Sequence, residues 1–341
     1  MAMTVTIIGQ GLAGSLLAWE LTRAGAAWHL YDPGHGEAAS RVGAGIINPL
    51  TGRRWVPTWR VAEWRGAATE VYREIETELG TPLYRPMRIW RAWRNPDEQA
   101  FLEQRAAVQP EVRRWLGGLS AAGAWIEGAA QVDTAALVAG LRERWVHEGA
   151  LTERRATESE LAAAASRGPV IWCTGAGLSG ATTDVIATWQ RAGGEILTGR
   201  TAAALDESVI LNDGHWVLPL SGGRMRVGAT YEREVERASP TVAGRDELWR
   251  AARRLTGCEF TVTEQAAAVR LTTTDKRPVV GWWPGRAGHG LLGGLASKGA
   301  LWAPALAQQW VAHVRAGAAF DEEADAARFA VGAPSRDTEG G

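Results

Sequence analysis

The sequence predicts an α/β protein in which a discontinuous Rossmann-type nucleotide-binding domain holds a second domain of mixed β-sheet and helices. Three observations predict it. The chain opens on a strand, a Gly-x-Gly-x-x-Gly turn, a helix and a second strand ending on an acid. A buried strand with a glycine-rich turn, "PVIWCTGAG", comes mid-chain. Near the end the strand "RPVVGW" precedes "HGLLGGLASKGALWAP", a turn that opens a helix. Helical and β-like stretches separate these three parts. The nucleotide-binding domain is therefore expected over 1–50, 131–192 and 266–333, the second domain over 51–130 and 193–265, and a disordered tail over 334–341.

In the opening, Val5–Ile8 is the first strand and the helix runs to about Ala24. Trp28–Tyr31 is the second strand and ends on Asp32. Gly9 allows a tight turn, Gly11 a close approach of backbone to pyrophosphate, and Gly14 close helix–strand packing. The helix N-terminus carries partial positive charge toward a phosphate. Asp32 is placed to accept hydrogen bonds from ribose hydroxyls. Residues 37–56 read as loop and turn. Residues 57–130 read as helical and polar, broken by prolines at 82, 86, 96 and 110. "VDTAALVAGLRERWVHEGA" predicts an amphipathic helix capped by Asp133, with Leu137, Leu141 and Trp145 on its apolar face. "HWVLPL" and "GGRMRVGAT" read as short strands, and "ELWRAARRL" as a helix.

The 341 residues are 46% apolar, enough for a sizeable core, and carry a net charge of −1, which favours neither nucleic acid nor membrane. No apolar run has the length of a membrane span, no signal core is evident, and Cys173 and Cys258 have no metal or redox spacing. A reduced, cytoplasmic protein is expected. The 18 tryptophans are spread from Trp19 to Trp310, which points to core packing more than to a binding stripe.

Four stretches in order, "IIGQGLAGSLLAWEL…LYD", "ASRVGAGIINP", "VIWCTGAG" and "VRLTTTDKRPVVG…GLLGGLASKGALWAP", resemble the D-amino-acid-oxidase (DAO) type of FAD-dependent oxidoreductases, which includes glycine and sarcosine oxidases. The resemblance implies FAD as cofactor. It sets Gly9, Gly11 and Gly14 at the pyrophosphate, Asp32 at the adenosine ribose, and Ser40, Arg41, Ala44 and Gly45 along pyrophosphate and flavin. Thr174 and Gly175 would pass the middle of the cofactor. Gly294, Ser297, Lys298 and Gly299 would form the helix start facing the flavin pyrimidine, where the dipole favours an anionic reduced ring. No cysteine occupies the C-terminal stretch used for covalent attachment in the sarcosine-oxidase branch, so noncovalent FAD is expected.

Arg270 stands among apolar residues. The resemblance implies that it grips a substrate carboxylate, and its planar fork would fix the substrate angle for hydride transfer from Cα to flavin N5, the imine then being hydrolysed. The alternative is an ion pair with Asp275. Trp216 falls where glycine oxidase has a tyrosine hydroxyl, and Tyr231 is a candidate replacement. His215 and His289 read as loop or strand-end residues, since the chemistry needs no imidazole base. The expected activity is oxidation of a C–N bond in an amino acid or N-substituted glycine.

Two other readings stay open. Segment 51–94 interleaves nine arginines with tryptophans against five glutamates. Such interleaving suits either an inward-packed helical lid or an RNA surface, and a branch of the family removes a carboxymethyl group from a modified wobble uridine in tRNA. Arg53 and Arg54 could line a substrate entrance. The third reading is a non-catalytic flavin protein for electron transfer or sensing.

Overall fold

A computed structural model describes residues 3–34, 36, 38–177 and 189–330; the expected disordered tail lies outside them. The opening strand Thr4–Ile8 lies between two parallel strands, Ala27–Tyr31 and Val170–Trp172, at the centre of a six-stranded sheet. Leu151–Thr152 extends one side. His289–Gly293, parallel, and Val279–Trp282, antiparallel, extend the other. Start, middle and end of the chain therefore share one sheet. Val5 and Ile7 pack into the main core with the helix Leu12–Arg23, while Ile8 and Val170 pack against Leu161 of the helix Glu158–Ala165. Both faces are covered, which explains the apolar strand sequences. Thr4–Ile8, Val170–Trp172 and His289–Gly293 all end at one edge. The turns that follow them converge there, where open α/β sheets bind ligands.

The second sheet has ten strands. Trp189–Arg200 pairs along its length with Thr261–Thr273 and, on its other side, with Arg224–Gly228, which in turn pairs with Trp216–Leu220. Residues in register share a face. Trp216, Gly228, Ile196 and Ala266 form one row, Gly194 and Ala268 the next, and Ala192 and Arg270 the one after. This face meets Val42. The opposite face, with Leu197, Val217, Met225 and Val227, is closed by Leu248 and Ala251 of the helix Val242–Thr256. We propose the two expected domains on this basis, one built on each sheet; Trp189–Arg200 and Thr261–Thr273 run across the boundaries at 192 and 266.

Segment 57–130 departs from the helical expectation. Helices occupy Val61–Leu79, Asp97–Val108 and Pro110–Arg114, but Tyr84–Ala92 and Gly123–Val132 are long paired strands. In "YRPMRIWRA" burial follows the two-residue period of a strand, with a register shift between Met87 and Ile89 that blurs the alternation. Within 37–56, Ala39–Val42 is a short helix. Asp133 caps Thr134–His147 as expected, accepting from the Ala136 amide at 3.0 Å. Trp55, Trp145 and Trp310 are among the largest fully buried side chains, and Trp282 is the one exposed tryptophan, so packing accounts for the abundance.

Candidate functional site

A cavity of about 1030 Å³ lies between the converging turns and the Trp216–Arg270 face of the large sheet. Gly9, Gly11, Asp32, Ser40, Arg41, Ala44 and Gly45 line it, as do Thr174, Gly175, Gly294, Ser297 and Gly299. Trp216 and Arg270 line it as well. Residues more than 250 positions apart are thus gathered at one site. Gly14 and Lys298 are not in the wall. Gly14 sits one turn into the helix, where a Cβ would collide with the Gly9 carbonyl; its role is packing. Lys298 is the N-cap of Gly299–Ala316, and burial pulls its ammonium down to about 8.

Two helix N-termini open on the cavity. Neither Gly11, capping Leu12–Arg23, nor Lys298 supplies a side-chain cap, and neither helix has an acid in its first turn. Such ends attract anions. Arg41 lines the wall beside Ser40 and forms no ion pair among the described residues. At the far end Asp32 is held by three donors. Oδ2 accepts from the Gln10 amide at 2.7 Å, and Oδ1 accepts from the Gly34 amide at 2.6 Å and from Arg142 Nη1 at 3.0 Å. One acceptor position on Oδ2 stays open for a hydroxyl. The Thr174 hydroxyl is buried in the wall without a hydrogen-bond partner among the described residues. An orphaned hydroxyl, open helix ends, a free arginine and an acid at the far end fit an extended anionic dinucleotide of FAD's kind.

Arg270 is half-buried, and desolvation lowers its pKa. Its Nη2 donates to the Gly193 and Thr230 carbonyls, each at 3.2 Å, and it forms no ion pair among the described residues. Asp275, the expected alternative partner, binds Arg328 Nε at 2.9 Å, the Thr273 hydroxyl at 2.6 Å and the Arg277 amide at 3.0 Å. Trp216 lies over Gly228, where no side chain could fit beneath its ring, and offers an apolar wall with one free N–H. Tyr231 is not brought to the cavity. It is 61% exposed, with the Arg270 guanidinium 5.6 Å from its ring centroid. Among the described residues no histidine lines the cavity: His215 binds Glu247 at 2.8 Å, and His289 Nδ1 accepts from Trp172 Nε1 at 2.9 Å.

Most arginines of segment 51–94 are spoken for. Arg60 meets Glu63 and Asp321, Arg73 meets Glu76, Arg88 meets Glu127, and Arg91 and Arg94 share Glu98. Arg91 also stacks 3.7 Å from the buried Trp55 ring. The segment packs inward, partly on the helix Val61–Leu79, which buries Trp64, and partly on the strand Tyr84–Ala92, which the helical expectation did not include. Arg53 and Arg54 are exposed and outside the cavity wall.

Sequence reasoning missed Arg142. Thr134, Val138 and Arg142 are spaced by four along one helix, and all three line the cavity. That i, i+4 stripe beside the Leu137–Leu141 face was the available signal.

The family model described as FAD dependent oxidoreductase (DAO) matches residues 4–313. Among solved structures, glycine oxidase from Geobacillus kaustophilus matches at 21% identity and TM-score 0.72, over 94% of this chain and 97% of its own. Iminodiacetate oxidase from Chelativorans sp. BNC1 matches at 20% and 0.75, over 93% and 96%. L-proline dehydrogenase from P. horikoshii matches at 14% and 0.72, over 96% and 98%. They share this fold. No helix among the described residues is long and apolar enough to cross a membrane.

Proposed function

The chain belongs to the DAO family of FAD-dependent oxidoreductases, and on that premise we propose that it oxidises the Cα–N bond of an amino acid or N-substituted glycine. One observation carries this reading: Arg270 reaches the cavity wall with no carboxylate among the described residues to neutralise it. A half-buried guanidinium with free donors is matched by a ligand carboxylate, which it can take through two parallel hydrogen bonds. A module that only stored flavin would leave that fork without a task. The solved structures of the same fold include oxidases named for glycine and iminodiacetate, both carboxylated amines.

FAD, when bound noncovalently, supplies the hydride acceptor. We assign to the chain only binding and orientation. Gly9, Gly11, Ser40, Arg41, Thr174 and Gly175 would hold the pyrophosphate and its flanks, Asp32 the ribose, and Ala44, Gly45, Gly294, Ser297 and Gly299 the ring. Arg270 fixes the carboxylate and hence the direction of the Cα–H bond, and geometry of this kind accounts for much of an enzymatic rate. Trp216 limits bulk on the substrate's far side. The amine reacts in its neutral form, and no described residue of the wall is assigned as its base. Anaerobic mixing with glycine, D-amino acids and N-carboxymethyl amines tests the reading. Bleaching of the flavin by at least one of them supports it, and bleaching by none while uncarboxylated amines react would refute it.

A further inference from the structure

Arg226 is another arginine on the cavity-facing side of the large sheet. It is in register with Thr198 and Leu218, one row beyond Gly228 and Trp216. Arg270 donates to backbone through Nη2 alone, whereas Arg226 commits both arms of its fork: Nη1 donates to the Gly43 carbonyl at 3.0 Å and Nη2 to that of Val42. It forms no ion pair among the described residues. The acids that influence it, Asp133 and Glu264, act only at longer range, and the Asp133 carboxylate already caps a helix. Desolvation opposes its charge, which a guanidinium nevertheless keeps.

The loop it holds has a one-sided arrangement. The Gly45 carbonyl accepts from the Val132 amide at 3.0 Å and that of Ala44 from Gln131 Nε2 at 3.4 Å, so four consecutive carbonyls, Val42 to Gly45, are occupied by protein donors. Ala44 and Gly45 line the cavity, and their amides donate to nothing among the described residues. Gly45 has φ +67°, and a Cβ there would strike the Val132 carbonyl, so the turn admits only glycine. Ser40, at the start of the loop, lies beside Gly11 at the phosphate end, whereas Val42 packs with Ile196, Ala268 and Trp216 at the Arg270 end. The redox-active ring of a bound dinucleotide must lie between its pyrophosphate and the substrate, and the Val42–Gly45 loop spans that interval.

We propose that Arg226 is a positioning residue for the flavin that also sets its redox balance: it locks the Val42–Gly43 peptides and places a positive charge, ion-paired to no described carboxylate, behind the Val42–Gly45 loop of the cavity wall. Taking up electrons makes the ring more negative, so a fixed cation nearby favours the reduced form. This rests on FAD binding alone and not on which amine is oxidised.

The test is the two-electron midpoint potential of the purified holoenzyme without substrate, together with the FAD dissociation constant, for wild type, Arg226→Met, Arg226→Gln and Arg226→Lys. The neutral variants should have a more negative potential, with the equilibrium about tenfold less in favour of reduction, or about 30 mV for two electrons. Arg226→Lys should keep a potential near wild type while its FAD dissociation constant rises roughly tenfold, because the charge persists and the two-carbonyl fork is lost. If Met fails to retain FAD, Gln supplies the neutral measurement. A wild-type potential in a neutral variant that binds FAD overturns the proposal. So does a fall in Arg226→Lys equal to that in Arg226→Met, which would make loop shape and not charge the determinant. Since no substrate is present, failure here is distinct from failure of the amine-oxidation reading.

Discussion

Asp275 belongs to Arg328, whose Nε lies 2.9 Å from its Oδ2, and not to Arg270 five residues before it. The two nearest readings of Arg270 therefore separate experimentally. Asp275→Asn should lower stability by about 1–3 kcal/mol, the usual loss when a satisfied charged hydrogen-bond acceptor is weakened. It should leave the KM for a carboxylated amine unchanged. Urea unfolding and steady-state kinetics on the same preparation check both halves.

Gly194 is the slot through which the Arg270 fork passes. A Cβ built there lies well inside 3.0 Å of Arg270 Nη2 and 2.9 Å from the Thr230 carbonyl. Gly194→Ala should therefore displace the guanidinium and lower kcat/KM by roughly a hundredfold, as for other ångström-scale misplacements, with the flavin spectrum intact. The neighbouring Gly193 points to the opposite face, where a Cβ would meet Val235 Cγ2 at 2.8 Å. Gly193→Ala is the control, expected to disturb the covering loop and to change kcat/KM far less.

Arg142 fixes Asp32, the acid proposed to hold the ribose. It donates to Asp32 Oδ1 and to Gln10 Oε1, each at 3.0 Å, and to the Asp32 carbonyl at 3.1 Å. Without it Asp32 keeps only its backbone donors and loses a fixed orientation. Arg142→Met should weaken FAD binding roughly tenfold, about 1.4 kcal/mol. Recovery of flavin fluorescence on dilution measures this directly, and an unchanged dissociation constant would make Arg142 a purely structural contact.

His289 is buried, and burial, aided by Arg286, pushes its pKa down to about 4 from 6.5. The folded protein then resists protonation that the unfolded chain accepts, so the unfolded state binds more protons between about pH 6.5 and 4. Stability contributed by the neutral ring is present above that window and is lost as pH falls through it. His289→Gln should flatten the decline in melting temperature across that interval. An identical slope in wild type and variant would show that other groups govern acid unfolding.

How much was legible in the sequence follows from which physical signals are local. "IIGQGLAG" declares its strand, turn and helix because each glycine answers a backbone requirement within a few residues. "VIWCTGAG" and "GLASKGALWAP" do the same, and all three turns meet at one sheet edge. The strand Tyr84–Ala92 was illegible because arginines at 85, 88 and 91 imitate a helical polar face, while Arg91 is in fact buried against Glu98 at 2.7 Å. Tyr231 was attractive for its hydroxyl, but sequence proximity to a strand end does not tell which way a side chain faces. Arg142 was legible only through its i, i+4 stripe with Thr134 and Val138, and Arg226 through nothing local, because their partners, Asp32 and the Val42–Gly43 carbonyls, lie more than 100 positions away in the chain.

The central claim is that Arg270 anchors a substrate carboxylate, and the most direct test is anaerobic flavin reduction in wild type and Arg270→Met, with a carboxylated amine and its decarboxylated counterpart. The account predicts that the variant needs roughly 30- to 1000-fold more of the carboxylated amine for half-maximal reduction rate, equivalent to about 2–4 kcal/mol for loss of a half-buried charged pair. The decarboxylated compound should react equally poorly with both proteins. Equal concentration dependence in wild type and variant for the carboxylated amine would contradict the assignment.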